Sequence, residues 1–565
     1  MSARRLPLTA RRHGSLIGVV ALCSLLIGAC TPAPPPPPDG QPPEPSIAPQ
    51  PRDAPGDARA GGTLRVGVAQ EPGSIDPRFV VDPDAERIVG QLFDPLVRLD
   101  EDGRVVPAAA ESWEVLDGGS RLRFHLRAAT FHDGEPVTAG AFQRSFDRIA
   151  DGTASPRSFL SYLLEPIAGS DAAETSGAPL AGLEVEDDRT LVISLEEPMP
   201  GYLVTLAHPT LVPLPEVAST DPQRFAEQPV GNGPFAMNEP REPGSFLRLT
   251  SFPDHHAPPL LDEVVVQIYV DDPGRQQQWD DLTSGLLQVG ELLPEQRSDA
   301  AATFGMSSDG YRGPGLLTGE SSTTYLYGFD TTTAPYDDPQ VRRALSLAID
   351  RDRLADDVMQ GTRRAADSLV PPPIPGSQEA ACEHCRHDPM EARSLFAAAE
   401  TDVTSVTLTH VRGASHAAIA QSMAADIEAA LGISVDLQAR DLEPFVRAVR
   451  AGEVPLFWLG WEASEPDPGS YLFPLFHSSQ IGQDNVSGYR DSDVDRLLET
   501  ARSAPTAAIA TPFHQGAERR ILEDAPVLPL LWHRHAVLVT SDVRDLYWSP
   551  LGRVDLSVVW LADRS

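Results

Sequence analysis

The chain has 565 residues, 81 of them acidic and 45 Lys or Arg, for a net charge of -36. That balance excludes a nucleic-acid partner, whose phosphates demand clustered cations. The length is enough for about three domains with a sizeable core.

In chain order the first feature is a compartment signal. Arg4, Arg5, Arg11 and Arg12 precede an apolar run, Ile17 to Ile27, that is short for a membrane span. The run ends in Leu26-Ile27-Gly28-Ala29-Cys30, which resembles the lipobox of bacterial lipoproteins, so residues 1-30 read as a signal peptide with Cys30 lipidated. Residues 31-60 are a proline-rich tether, with Pro34 to Pro38 unbroken, and such a stretch favours extended polyproline II over a buried core. The remainder reads as an acidic body outside the cytoplasm, without lysine, all its fixed cations being arginine.

Strands are expected at Thr63 to Val68, Arg121 to Arg127, Thr190 to Leu195 and Glu263 to Val270, from period-two or continuous apolar patterning. Asp338-Pro339 supplies a cap and a first-turn proline, and Val341, Leu345 and Ile349 recur at spacing four, which predicts one helix from Pro339 to about Met359. Ser405 to Val411 alternates as a strand. Ser415 is expected to cap a helix carrying Ile419, Met423, Ile427 and Leu431 and stopping at Gly432, with a strand at Ile433 to Leu437 behind it. Alternating strands and helices make the fold class mixed α/β.

Cys382 and Cys385 are the two cysteines left for the mature body. With His384 and His387 they crowd four potential zinc ligands into six residues, too close to wrap a tetrahedral ion, so a local disulfide is the better reading. His255-His256 has only Asp254 beside it, which does not complete a metal site. No nucleophile elbow, zincin helix or phosphate-binding loop is present, so no enzyme, cofactor or metal is expected.

Several segments, in order, resemble the oligopeptide-binding proteins of bacterial ABC importers, solute-binding family 5. They are Gln70 to Pro77 (QEPGSIDP), Ala109 to Glu114, Phe124 to Arg127 with Phe131 to Ala139 (FHDGEPVTA), Thr153 to Pro156 with Ser161 to Leu163, Gly231 to Phe235 (GNGPF), and Asp338 to Arg353 (DPQVRRALSLAIDRDR). The resemblance implies a two-lobed periplasmic-binding-protein-like clamp (type II, cluster C) with an extra domain inserted in the first lobe. By that analogy lobe I takes 61-106, 225-320 and 533-565, the inserted domain 107-224 and lobe II 321-531. It further implies a monomeric, lipid-anchored receptor on the outer face of the cytoplasmic membrane, which captures oligopeptides and delivers them to a permease and ATPase complex. The alternatives are the same role for a sugar, an opine-like compound or a metal chelate, and, more distantly, a secreted hydrolase.

GWEASEPDP, residues 460-468, is similar to that family's Gly-Trp-Cys-Ala-Asp-Tyr-Asn-Glu-Pro, whose Asp pairs with the ligand's α-amino group. Ser464 stands at that position and cannot neutralise an ammonium, so either Glu462 or Glu465, beside Trp461, supplies the carboxylate, or the ligand carries no ammonium; the other alternative is that Glu462, Glu465 and Asp467 are solvated loop charges. Leu442 and Trp458 stand where the oligopeptide branch carries tryptophan and arginine. Asn485 and Tyr489 resemble the family's Asn-x-x-x-Tyr near the cleft. Arg447 and Arg450 are read either as contacts to an anionic ligand end or as a solvated helix face.

Overall fold

Three sheets organise the chain in this computed structural model, which describes residues 58–562 except 81, 242, 243, 245, 400 and 464. Cys30, the leader, most of the tether and Ser464 lie outside the described residues, which all fall within one unit, Ser46–Ser565.

The first sheet has seven strands in the order Gly315–Leu317, Val537–Val539, Val289–Glu291, Thr63–Val68, Glu263–Ile268, Phe246–Ser251, Phe235–Ala236. Thr63–Val68 runs parallel to both of its neighbours, and the other pairings are antiparallel. Such a central strand is covered on both faces. Leu64, Val264 and Val289 are accordingly buried with Phe93 and Phe235 in one core.

A four-stranded antiparallel sheet, Ala110–Leu116, Arg121–Leu126, Thr190–Ser194 and Leu183–Asp187, is inserted between segments of the first and has a separate core around Phe124, Phe142 and Phe146. The second lobe is built on six strands, in the order Arg363–Ala365, Val527–Arg534, Glu320–Phe329, Leu456–Glu462, Ser405–Val411, Ser434–Arg440. Its two faces bury different cores, one with Tyr325, Leu345, Leu408 and Ile419, the other with Leu326, Tyr471, Phe476 and Ile521. The chain passes between the large sheets twice, at 318–319 and 535–536. Two lobes joined by short paired crossings suit hinged closure.

Two helix expectations need correction. The helix starting at Pro339 ends at Ala348; Ile349 is extended (φ -89°, ψ 128°), and Asp350 caps a new turn, Arg351–Arg353, followed by a π-helical turn, Leu354–Val358. The break turns Arg351 into the core, where its guanidinium donates to the carbonyls of Pro529 (2.6 Å), Cys385 (2.9 Å) and Ser346 (2.9 Å). The second helix spans Ala414–Leu431, with Gly413 rather than Ser415 at its cap, and Gly432 at φ 72° ends it. This earlier start places His416 in the first turn. Cys382 and Cys385 form a disulfide, which withdraws both thiols from metal binding.

Candidate functional site

The Leu456–Glu462 strand carries the first three residues of the GWEASEPDP segment. Side chains alternate across a sheet, so Trp458, Gly460 and Glu462 share one face and Phe457, Leu459 and Trp461 the other. The register sets Glu462 opposite Thr323, Gly460 opposite Tyr325 and Trp458 opposite Tyr327. Trp461 therefore turns away from Glu462. Its indole N–H donates to the Ser470 carbonyl (2.7 Å) and its ring packs against the core with Tyr471, so it holds the following loop in place.

Glu462 is solvent-exposed, yet burial by its surroundings raises its pKa. The charges next in importance come from the first lobe: Glu86 adds to the rise, and Arg553 and Arg87 oppose it. Glu462 thus faces the other lobe. Arg87 ion-pairs with Asp84 and with Glu291 (2.9 Å) and lies 4.7 Å from the Trp548 ring centre; Arg553 donates to Glu86 (2.7 Å). Glu465 is more strongly desolvated. Burial pushes its pKa up to about 7, against a hydrogen bond from Thr205; Asp467 adds to the rise and Arg553 opposes it.

The other expected residues divide. Leu442 opens the Leu442–Arg450 helix and is 57% exposed. Trp458 is partly exposed and lies within 6.0 Å, ring centre to ring centre, of Tyr325, His416 and Phe445. Asn485 and Tyr489 are buried and internally satisfied. The Asn485 amide donates to the carbonyls of His477 (3.2 Å) and Tyr489 (3.0 Å), and the Tyr489 hydroxyl donates to Asp524 (2.8 Å). They shape their own loop and leave no polar atom for a solute. Arg447 pairs with Glu443 on an exposed helix face, and Arg450 lies 4.0 Å from Asp484.

One cluster escaped sequence reasoning because its members lie 161 positions apart. The Asp94 carboxylate is 2.9 Å from His255 Nε2 and 3.6 Å from His256 Nδ1, and these three could hold a metal ion. They are also satisfied without one. His255 Nδ1 is 2.8 Å from the Ala257 carbonyl, and although burial alone would depress the His255 pKa, Asp94 raises it overall. Burial opposes ionisation of Asp94, but His255 outweighs it and holds the carboxyl down to about 2. Arg87, Arg553, Arg363 and His416 were likewise missed, having no motif around them.

Against this geometry the comparisons are consistent. Residues 104–483 match the family described as "Bacterial extracellular solute-binding proteins, family 5 Middle". The chain belongs to this family. Across 82% of its length and 86% of the relative's, it is 30% identical to the "Probable deoxycholate-binding periplasmic protein YgiS" of Escherichia coli K12. Across 82% and 86% it is 27% identical to the "Periplasmic oligopeptide-binding protein OppA" of the same organism. The fold of "Clavulanic acid biosynthesis oligopeptide binding protein 2" superposes with a TM-score of 0.79 at 22% identity, covering 89% of this chain and 96% of that one. Family 5 is described as extracellular and solute-binding, and among the described residues no helix is long and apolar enough to cross a membrane.

Proposed function

We propose that this family 5 protein captures short peptides between its lobes and delivers them to the permease and ATPase of an ABC importer, tethered to the membrane by a lipid on Cys30. In this reading lobe I comprises 61-106, 225-320 and 533-565, the inserted domain 107-224, and lobe II 321-531. The observation that carries it is Glu462, an accessible carboxylate at the end of a sheet strand, facing the opposite lobe and available to a ligand ammonium where Ser464 is not. Glu465 is a second carboxylate three residues on, and Trp458 and Leu442 supply apolar surface.

The test is the melting temperature of the protein with pooled free-amine peptides of two to eight residues, and with the same pool N-acetylated. At about 100 times Kd a native-state ligand contributes roughly 2.7 kcal/mol, a readily measured shift. A shift with free amines alone is the expected result; equal shifts, or none, sink the amine-anchored reading. Fractionation checks the anchor: Cys30→Ser should move the protein out of the membrane fraction, and an unchanged distribution rejects lipidation there.

A second reading has its own support. The relative at 30% identity is named for deoxycholate, a carboxylate on an apolar body, and Ser464 weakens the case for a peptide amine. Deoxycholate therefore belongs in the same melting series.

A further inference from the structure

Arg363 sits on the edge strand Arg363–Ala365, in register with His533, and its guanidinium carbon lies 4.8 Å from the Tyr325 ring centre. In a chain with 81 acidic residues, its side chain makes no ion pair or hydrogen bond to any described residue, and its Nη1 is buried without a partner. The nearby carboxylate, Glu320, is engaged by Arg534 (3.1 Å) and approached by Arg364 (3.7 Å). The buried Arg351 and Arg342 differ: Arg351 donates to four carbonyls, and Arg342 to those of Tyr336, Asp524 and Ala525.

Aromatic and imidazole rings surround Arg363. The Tyr325 hydroxyl and His416 Nδ1 are 2.8 Å apart, with the rings stacked at 5.6 Å, and the His416 ring is 4.7 Å from that of Trp458. The Trp458 indole N–H is buried with no partner among the described residues. Burial, then Arg363 itself, lowers the pKa of both His416 and His533, the latter to about 3, so neither adds charge of its own. Arg363, His416 and Trp458 all remain partly accessible, and Trp458 shares its sheet face with Glu462. A half-buried cation without a counter-charge carries a desolvation cost, and its buried, unpaired Nη1 donor adds to it.

We propose that Arg363, with the Trp458 indole N–H and His416, receives the carboxylate end of the cleft ligand. The inference rests on the solute-binding reading above. It assigns to the edge strand the cation that the Leu456–Glu462 strand lacks, since Trp458 stands where the oligopeptide branch carries arginine. Trp458, partly exposed, then faces the apolar part of whatever carries the carboxylate, and the buried Tyr325 ring backs the Arg363 guanidinium. A peptide C-terminus and a sterol acid share this chemistry.

The test uses the full chain, Arg363→Met and Arg363→Lys, with melting temperature and calorimetry as readouts. The probes are sodium acetate against sodium chloride at equal ionic strength, trialanine against its C-terminal amide, and deoxycholate. Wild type should melt higher in acetate than in chloride and bind trialanine about tenfold or more tighter than the amide, the scale of a hydrogen bond to a charged group. Arg363→Met should abolish both differences while melting no lower than wild type without ligand, and Arg363→Lys should retain part of the acetate response. An acetate response equal in wild type and Arg363→Met overturns the proposal, as does undiminished preference for the free acid in that variant. If trialanine and deoxycholate both leave wild type unshifted but acetate still distinguishes the variants, the carboxylate site stands and the reading of the cleft as a receptor for these solutes falls. Arg363-dependent binding of deoxycholate alone supports the site and makes a sterol acid its source.

Discussion

Glu465 joins local chemistry to ligand choice. Burial and the neighbouring Asp467 push its pKa up to about 7, against the opposing Thr205 hydroxyl and Arg553, so near neutrality it is about half protonated. Its folded pKa is above the ordinary 4.5, so the native state holds more protons than the unfolded chain between pH 4.5 and 7. Stability at this site therefore falls as pH rises through that window, by up to about 3 kcal/mol. Glu465→Gln keeps a partner for Thr205 and removes the charge. It should melt above wild type at pH 8, with the gap closing by pH 5; an equal or lower melting temperature at pH 8 rules the desolvation argument out. A ligand ammonium would reverse the cost by ionising Glu465, so the same variant should also flatten any rise of free-amine affinity between pH 5 and 8.

At the scale of elements, legibility followed how local each determinant is. Thr63–Val68 and Ser405–Val411 were readable to the residue, because alternation and flanking breakers lie within the strand itself. The end of the helix starting at Pro339 was not, because Ile349 leaves helical geometry to let Arg351 reach the Pro529 carbonyl, 178 positions away. Ser415 is a good cap by residue type, yet Gly413 takes that place. Within the site, Glu462 and Glu465 were singled out through the resemblance of GWEASEPDP to the oligopeptide branch, which places Ser464 at its carboxylate position. Nothing separated Arg363 from the chain's other arginines, since its lack of a partner is a property of the assembled sheet. Asn485 and Tyr489 show the converse: their hydrogen-bonding capacity was legible, but its use on His477 and Asp524 was not.

For the whole molecule, the dominant pH effect should come from histidines kept neutral. Burial depresses His132 and His208 to about 4 and His533 to about 3. Each binds a proton more readily when unfolded, so between pH 6.5 and 4 the unfolded chain takes up more protons and stability falls on acidification. For His208, which is buried, the loss approaches about 3 kcal/mol. Glu465, Glu462 and Glu518, whose carboxyls burial raises, have the opposite sign in an overlapping window, while His416, His514 and His535, also lowered by burial, add to the histidine side. Partial neutralisation of the -36 net charge also acts in the opposite direction, by relieving self-repulsion. Salt separates the two, because screening weakens repulsion between exposed charges and leaves buried groups largely untouched. A calorimetric series at 0.5 M sodium chloride should show the melting temperature dropping steadily from pH 6.5 to 4. A flat or rising profile at that ionic strength would show that charge repulsion, and not the neutral histidines, governs how the two lobes respond to acid.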